Sequence, residues 1–461
     1  MELFSLQPGD EGLPGRERAF AMFAVMTSTT MAVFDGAMVN IALPQIARAL
    51  HVNGSDAVWI ANGYLLSTAM TLAIFAALAT RWGFRTLFAT GLSVFTLASL
   101  GCALSSSLEM LVAMRILQGI GGAATLSIAP AILRAIFPNR LLGRILGMNA
   151  LLIASSTAIA PVLGGTLLAT LSWQWLFAIN IPLGVVALAL TLRVIPSNRH
   201  TQRGAFDTLG ALLSATTLGA VIMASDAFSH AGSLAQALVW GLVALVAGLL
   251  FIRHQRNVAQ PLLPLELFTS ARFSLAALTS LSSFVSQGIT FVALPFLFQQ
   301  VYGYSAFSAA LLFTAWPVGI ILVAPHAGRL ADRYAPALIA TSGLCLFAIG
   351  LLLLALLSEH AQAWDITLRS LVCGIGFGCF QSPNNREMLA NASRELSSYA
   401  SGILAIVRTF GQCLGTAFVG VTFSLYTQQA AAIRLSLWLA AGATLLSILL
   451  SVSRLRQARY P

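Results

Sequence analysis

The chain has 461 residues, of which 58% are hydrophobic and only 9% are charged, and its formal net charge is +10. A soluble domain of this length needs more charged surface, so the composition excludes an ordinary soluble protein. All 25 basic residues are arginine, and they are spread along the chain. They form no single basic face, which argues against a nucleic-acid-binding protein.

Apolar segments long enough to cross a bilayer follow one another along the whole chain. A membrane-spanning helix needs about 20 mostly apolar residues. Fourteen segments meet this length, at residues 19–43, 57–79, 84–104, 109–133, 145–170, 174–193, 207–228, 234–253, 273–300, 306–327, 336–357, 366–385, 398–423 and 431–453. We therefore predict an all-α integral membrane protein with 14 transmembrane helices.

The arginines are distributed unevenly between the gaps that separate these spans. Twenty of the 25 arginines fall in gaps on the same side as the N-terminus. Arg48, Arg369 and Arg434 fall on the other side, and Arg115 and Arg408 fall inside spans. Because arginine accumulates in cytoplasmic loops, the distribution predicts that both termini are cytoplasmic. The basic loops would then face the anionic lipids of the bilayer.

Two patterns in the first half of the chain recur in the second half. The turn at residues 76–85 is echoed at 328–334, and the small residues of span 5 are echoed in span 13. This recurrence predicts two repeated six-span units, spans 1–6 and 9–14, with spans 7 and 8 as an inserted hairpin. The predicted parts are an N-terminal tail, a first bundle, a linker with the hairpin, a second bundle and a C-terminal tail, at residues 1–18, 19–193, 194–272, 273–453 and 454–461.

Five motifs occur in order at the expected spans. They are Phe34–Pro44, Trp59 with Tyr64, Leu111–Ala123, Gly147–Gly165 and Trp173–Gly184. Together they resemble the motifs of the major facilitator superfamily, in particular its fourteen-span drug:proton antiporter branch (EmrB/QacA-like). The resemblance extends from about residue 19 to 453, nearly the whole chain.

This resemblance implies a fold and a function. The fold would be two six-helix bundles plus two inserted helices. The protein would be a proton-coupled exporter of amphipathic, often cationic organic compounds that works by alternating access, not an enzyme. Its energy source would be the proton gradient, with no cofactor and no metal. We expect a monomer in the bacterial inner membrane whose partners are protons, a small-molecule substrate and lipid. The alternative is a transporter for one metabolite or organic anion.

Asp35 and Arg115 are the predicted proton-coupling residues. Asp35 lies inside span 1, where an ionised carboxylate without a partner is costly, so an ionisable group there suggests function. Arg115 enters span 4 at a similar depth, and the resemblance implies that the two side chains communicate. Structural roles are the alternatives: Asp35 would bond neighbouring hydroxyls or helix ends, and Arg115 would bind backbone carbonyls.

Other polar and aromatic residues in the spans are candidates for the substrate cavity. They are Asn40, Tyr64, Gln118, Gln287, Trp316, Asn384 and Arg408. Arg408 either faces the cavity or binds carbonyls near Gly402 and Gly411. Asn384 either contacts a ligand or belongs to the turn that ends span 12.

A third group of candidates is assigned to gating and helix packing, as the resemblance implies. They are Arg81, Gly83, Arg85, Gly147, Pro161, Gly164, Gly165, Gly328, Asp332 and Arg333. The first turn departs from the family pattern, because Ala76 and Thr80 stand where glycine and aspartate are usual. Asp332, with Arg329 or Arg333, should therefore carry more of the gating than the first turn does.

Overall fold

The computed structural model describes residues 2–197, 204–229, 234–393 and 396–457, except for the side chains of residues 2, 139, 142–144, 146–147, 150–151, 154, 158 and 397–398. These ranges are almost entirely helical. The α-helices are α1 Gly15–Ala49, α2 Gly54–Trp82, α3 Phe84–Ala103, α4 Leu108–Ile136, α5 Asn139–Thr170, α6 Trp175–Ala178, α7 Asn180–Val194, α8 Thr208–Ala227, α9 Leu234–Asn257, α10 Ala271–Phe296, α11 Ala306–Arg333, α12 Pro336–Ala355, α13 Ala363–Ala390, α14 Ser397–Leu425 and α15 Gln429–Gln457. Short 3₁₀-helices form at Glu2–Phe4 and Leu265–Thr269, and the π-helical stretch Leu297–Val301 continues α10.

A helix stands at each of the fourteen predicted positions. In the described part of the chain, 13 helical segments are long and apolar enough to cross a membrane, when α6 with α7 and α10 with its π-helical stretch each count as one. The helix α5 occupies the remaining position. The predicted all-helical, multi-pass membrane fold is confirmed.

The helices run past the predicted apolar spans at several ends. Span 1 was predicted at residues 19–43, whereas α1 continues through Pro44 to Ala49. Side chains cap several helix starts: Ser107 accepts a hydrogen bond from the amide of Met110 at the start of α4. Such caps satisfy amides that the first helical turn leaves without a backbone partner. Apolar composition alone therefore underestimates helix length.

The helices form two bundles and one inserted hairpin. In the N half, α1–α7, helix α4 packs against α2 and α3, and α1 packs against α5 and α7. In the C half, α10–α15, helix α10 packs against α14 and α15, and α13 packs against α11 and α12. The hairpin α8–α9 lies beside them, with α8 against both α2 and α14.

The two halves join tightly on one face of the molecule. We call the face where α1 begins and α15 ends the terminal face, and the opposite one the far face. The halves meet along α2–α14 and α5–α11. Toward the far face, one apolar core contains residues of both halves, including Leu43, Phe296 and Phe313. There the Gln299 amide donates a hydrogen bond of 2.8 Å to the carbonyl oxygen of Ile41.

On the terminal face, the described residues of each half form a core of their own. The N-half core includes Phe88 and Ile132, and the C-half core includes Phe273, Met388 and Ile403. No apolar cluster of the described residues joins the halves on this face. We call the region between the two halves on this side the central cavity.

The N-terminal segment, predicted as a polar tail, packs onto the terminal face of the N half. Arg18 is fully buried and donates hydrogen bonds to the carbonyl oxygens of Leu3, at 2.9 Å, and Leu13, at 3.1 Å. Arg140 donates two hydrogen bonds of 2.8 Å to the carboxylate of Asp10. These bonds lower the pKa of Asp10 to about 2. Asp10 therefore stays ionised, and the segment stays attached, throughout the neutral pH range.

Candidate functional site

Asp35 lies inside the N half, on the face of α1 that packs against α4 and α7. Its carboxylate forms an ion pair with Arg115. The same carboxylate accepts hydrogen bonds from the Gln118 amide at 3.0 Å and from the Asn180 amide at 3.4 Å. The exposed fraction of both charged residues is 1%. The carboxylate is thus removed from solvent and supplied with three partners.

Arg115 is held in place from several directions. Its Nε donates a hydrogen bond of 2.8 Å to the carbonyl oxygen of Ile60 on α2, and Nη1 donates one of 2.8 Å to Gln118. The guanidinium also stacks on the ring of Tyr64, 4.5 Å from its centroid. A desolvated cation–π contact of this kind contributes about 2 kcal/mol. Arg115 therefore pairs with Asp35 and binds one backbone carbonyl of α2 at the same time.

Gln118 extends this cluster to α3. Its Nε2 donates a hydrogen bond of 2.9 Å to the hydroxyl of Ser99, and Cys102 lies 3.7 Å from its Oε1. Gln118 and Tyr64 were predicted to line the substrate cavity. The structure instead buries both of them, with exposed fractions of 0% and 4%, around the ion pair. We call the set Asp35, Ser99, Arg115, Gln118 and Asn180 the coupling cluster; it links α1, α3, α4 and α7.

The central cavity meets the other face of α1. Val33, Gly36, Ala37 and Asn40 recur at helical spacing, and each is partly exposed although α1 lies between other helices. A side chain added at Gly36 would meet nothing within 4 Å. Asn40 thus lies on this partly exposed face of α1, which we assign to the cavity wall, whereas the Asp35 carboxylate points away from it. This face of α1 carries no carboxylate side chain that could bind a cationic substrate.

On the C-half side, polar and aromatic side chains follow one another along α10 and α14. Gln412 donates a hydrogen bond of 2.8 Å to Gln287. One helical turn from Gln412, Arg408 is partly exposed. One turn from Gln287, Phe291 is also partly exposed, and its ring meets that of Trp316 edge to face at 5.3 Å. Trp316 itself has an exposed fraction of 0%, so it supports the cavity wall from behind.

Asn384 lies away from the cavity, contrary to its prediction. Its amide donates to the carbonyl oxygen of Ala276 at 3.1 Å, and its oxygen accepts from Arg454 at 2.6 Å. Arg454 also forms an ion pair of 2.7 Å with Glu387. Sequence reasoning missed this pair because Arg454 was assigned to a tail. The signal was available: Glu387 follows Asn384 by three residues, so both share one helix face.

The turn between α2 and α3 is the first of the two repeated turns. It binds the segments at both ends of the hairpin α8–α9. Arg81 donates to the carbonyl oxygens of Gly204, at 3.2 Å, and Ala205, at 3.3 Å, and to Gln260 at 2.9 Å. Gly83 has a φ of +92°, which favours glycine at this turn. In the same turn, Arg85 donates to the carbonyl oxygen of Leu192, and the Thr80 hydroxyl bonds the nearby Ala77 carbonyl.

The turn between α11 and α12, the second repeated turn, is held by an acidic residue. Asp332 forms an ion pair with Arg386 of α13, and Arg386 also donates to the carbonyl oxygen of Gly328 at 3.1 Å. Arg329 and Arg333, which were predicted to share the gating with Asp332, are both exposed. The two turns are thus unequal, since the first binds the hairpin linkers and the second joins α11 to α13.

Helix α5 brings the two halves close together through small residues. A Cβ atom added at Gly165 would lie 2.7 Å from the Cβ of Ala310 on α11, and one at Gly164 would lie 3.3 Å from Met38 on α1. Pro161 is buried one turn earlier. The side-chain environment of Gly147 lies outside the described residues.

No part of the described chain has the composition of a metal site. Among these residues, no group of three or more histidine, cysteine, aspartate or glutamate side chains could hold a metal ion.

Comparison with known proteins identifies the family. The model of the Major Facilitator Superfamily matches residues 25–416. The uncharacterised transporter YebQ of Escherichia coli is 39% identical over 450 residues, which cover 97% of this chain and 98% of YebQ. The chain therefore belongs to the major facilitator superfamily and is a transporter, not an enzyme.

Two further relatives have named substrates or activities. The riboflavin transporter RibZ of Clostridioides difficile is 27% identical, over 96% of this chain and 98% of RibZ. The multidrug efflux pump LfrA of Mycolicibacterium smegmatis is 28% identical, over 90% of this chain and 84% of LfrA.

A solved structure shares the fold. The crystal structure of a bacterial homologue of the human lysosomal transporter Spinster superposes with a TM-score of 0.69 and 14% identity, over 95% of this chain and 98% of that one. At this identity the likeness shows the fold alone.

Proposed function

We propose that this transporter is a proton-coupled antiporter of the fourteen-span drug:proton branch that exports amphipathic organic compounds. It would act as a monomer in a bacterial inner membrane, with both termini cytoplasmic and the far face outside. The arginine distribution supports this orientation. The observation that carries the proposal is the buried ion pair of Asp35 and Arg115 at membrane depth.

Protonation of Asp35 would change the balance of this pair. The neutral carboxyl group no longer compensates the buried charge of Arg115, and an uncompensated buried charge destabilises a structure by about 3–5 kcal/mol. A conformation in which Arg115 finds other partners or solvent then gains in relative stability. Because a ligand shifts two states only by its differential affinity, the proton acts here as the ligand that selects between them.

Helix α1 provides a short route from this pair to the contact between halves. Asp35 and Ile41 are six residues apart on α1, a rise of about 9 Å. At Ile41, the carbonyl oxygen accepts the hydrogen bond from Gln299 of the C half. A change in the position of α1 at the coupling cluster would therefore reach the far-face seal directly. Loss of that seal, together with closure of the terminal face, is what alternating access requires.

The proposal is tested by transport in proteoliposomes with an imposed pH gradient. The Asp35→Asn variant holds position 35 in a neutral, protonated-like form. Uphill export should stop, while energy-independent exchange of substrate should continue, because the cavity walls are unchanged. Asp226→Asn is the matched control: it makes the same chemical change at a carboxylate that accepts from Trp59 at 2.8 Å, and asparagine still accepts that bond. Normal uphill transport by Asp35→Asn would remove Asp35 from the mechanism.

A second candidate function is transport of one metabolite or organic anion. The specific observation that favours it is Arg408, an arginine on the C-half side of the cavity without a carboxylate partner among the described residues.

A further inference from the structure

Arg408 stands out among the arginines because it is enclosed by protein and has no partner among the described residues. It lies near the middle of α14, a helix that packs against α10, α2 and α15. Its side chain nevertheless remains partly exposed. An enclosed but accessible side chain faces an internal space, which here is the central cavity. The described residues supply it with neither an ion pair nor a hydrogen bond.

The two carboxylates buried within the bundles are already engaged. Asp35 is paired with Arg115 inside the N half, and Glu387 is paired with Arg454 inside the C half. In this conformation Arg115, Gln118 and Asn180 occupy both oxygens of Asp35, and Arg454 neutralises Glu387. Among the described residues that we place on the cavity wall, Arg408 is the charged residue without a partner.

The surroundings of Arg408 suit a particular shape of ligand. Gln412, one helical turn away, forms its amide pair with Gln287, and Phe291 follows one further turn along α10. From Arg408 to the level of Phe291 this strip is about 12 Å long, by the rise of 1.5 Å per residue. Across the cavity, α1 leaves open space at Gly36. The strip is cationic at its terminal-face end and aromatic at its far-face end.

We propose that Arg408 is the charge-recognition residue of the substrate site, and that the site takes aromatic amphiphiles with an anionic group such as a carboxylate or phenolate. The anionic group would bind the Arg408 guanidinium, and the aromatic body would lie against Phe291. This inference rests on the proposed export function and specifies its substrate class. It departs from the cationic compounds that the family resemblance implied.

The physical reason lies in the low dielectric of the cavity. An arginine that is desolvated and unpaired gains a charge-assisted hydrogen bond from an anion, and the planar fork of its donors matches a carboxylate in bidentate geometry. A cation in the same place is repelled by Arg408 and finds no carboxylate to offset that repulsion. The selectivity for charge should therefore be large and should depend on this one residue.

The test measures binding of two probes with the same aromatic body and opposite charge, naphthoate and naphthylmethylammonium. Purified full-length protein in detergent is titrated with each probe, and affinity is obtained from the rise in unfolding temperature with probe concentration. Naphthoate should bind at least about tenfold more tightly than the ammonium probe, the difference expected for one charge-assisted contact. The preference should disappear in Arg408→Gln and persist, though weakened, in Arg408→Lys. Arg434→Gln, at an exposed arginine of α15, is the matched control and should keep the parent preference.

Three results would overturn the inference. They are equal or tighter binding of naphthylmethylammonium, binding of naphthoate that survives Arg408→Gln unchanged, and binding of neither probe to folded protein. Because binding is measured without a proton gradient, this inference and the export function can fail separately. Arg408-dependent binding of naphthoate without flux driven by a pH gradient would refute the export function alone. Driven flux of substrates with equal binding of both probes would refute the anion preference alone.

Discussion

Arg115 combines the two roles that the sequence left as alternatives. It pairs with Asp35, and it also holds the backbone of α2 through the carbonyl oxygen of Ile60. A side chain with several strong partners can lose one of them and remain ordered. Protonation of Asp35 would then weaken one contact without releasing Arg115 entirely. This suits a switch between two defined states better than an isolated ion pair would.

The ring of Tyr64 should matter more than its hydroxyl. The ring lies 4.5 Å from the Arg115 guanidinium, whereas the hydroxyl makes only a long contact of 3.4 Å with the carbonyl oxygen of Ala32. We expect Tyr64→Phe to retain uphill transport within a few-fold of the parent. Tyr64→Leu removes a desolvated cation–π contact worth about 2 kcal/mol and should reduce transport by about tenfold or more. Flux in proteoliposomes with equal amounts of inserted protein measures both; equal effects of the two changes would contradict the role of the ring.

Sequence reasoning located charged residues by depth but not by direction. Asp35 and Arg115 were predicted at similar depth, and they do meet. Gln118 and Asn384 were placed in the cavity, yet both are buried inside a bundle. Which way a polar side chain points depends on the rotation of its helix, and a helix that is apolar on all sides gives little pattern from which to infer that rotation. Side-chain partners on distant helices therefore required the structure.

At the scale of elements, α5 and α11 bring the two halves together through small residues. The Cβ that alanine would add at Gly165 lies 2.7 Å from the Cβ of Ala310 and 2.9 Å from the Cα of Phe307, so one helix must move. We expect Gly165→Ala to disfavour the state closed on the far face and to lower transport several-fold. Gly442→Ala, at an exposed position of α15 where the added Cβ meets nothing within 4 Å, is the control and should transport normally. A loss of transport in the control equal to that in Gly165→Ala would show that close packing at α5 is unimportant.

The two turns between helices should also respond differently to mutation. Asp332 joins α11 to α13 through Arg386, whereas the Thr80 hydroxyl bonds only a carbonyl of its own turn. We expect Asp332→Asn to impair transport clearly more than Thr80→Ala. Parallel flux measurements on both variants test this difference. Equal and mild effects would mean that the Asp332 ion pair, which is half exposed, contributes as little as most surface pairs do.

Fold and helix order were predictable from the sequence because hydrophobic length and arginine placement depend on the bilayer alone. The structural role of the N-terminal segment could not be predicted, because Arg18 and Asp10 resemble ordinary charged residues of a polar tail. Only their partners, Leu3, Leu13 and Arg140, make that segment part of the fold.

At the scale of the whole molecule, the two halves are joined on the far face, whereas on the terminal face their described residues form separate apolar cores. The far-face contact is held by an apolar core shared between the halves and by the hydrogen bond from Gln299 to Ile41. In this conformation Asp35 is paired with Arg115. We propose that the protonation state of Asp35 determines which face is open.

The most direct test is the distance between the halves on the terminal face, measured by pulsed electron paramagnetic resonance as the pH is varied. Spin labels are placed at Trp82→Cys and Tyr334→Cys, exposed positions in corresponding turns of the two halves, after Cys345 and Cys379 are replaced by serine. In the otherwise native protein, lowering the pH should shift the distribution from long to short distances. In Asp35→Asn, the short distances should dominate at every pH. A pH-dependent shift that persists unchanged in Asp35→Asn would contradict the claim.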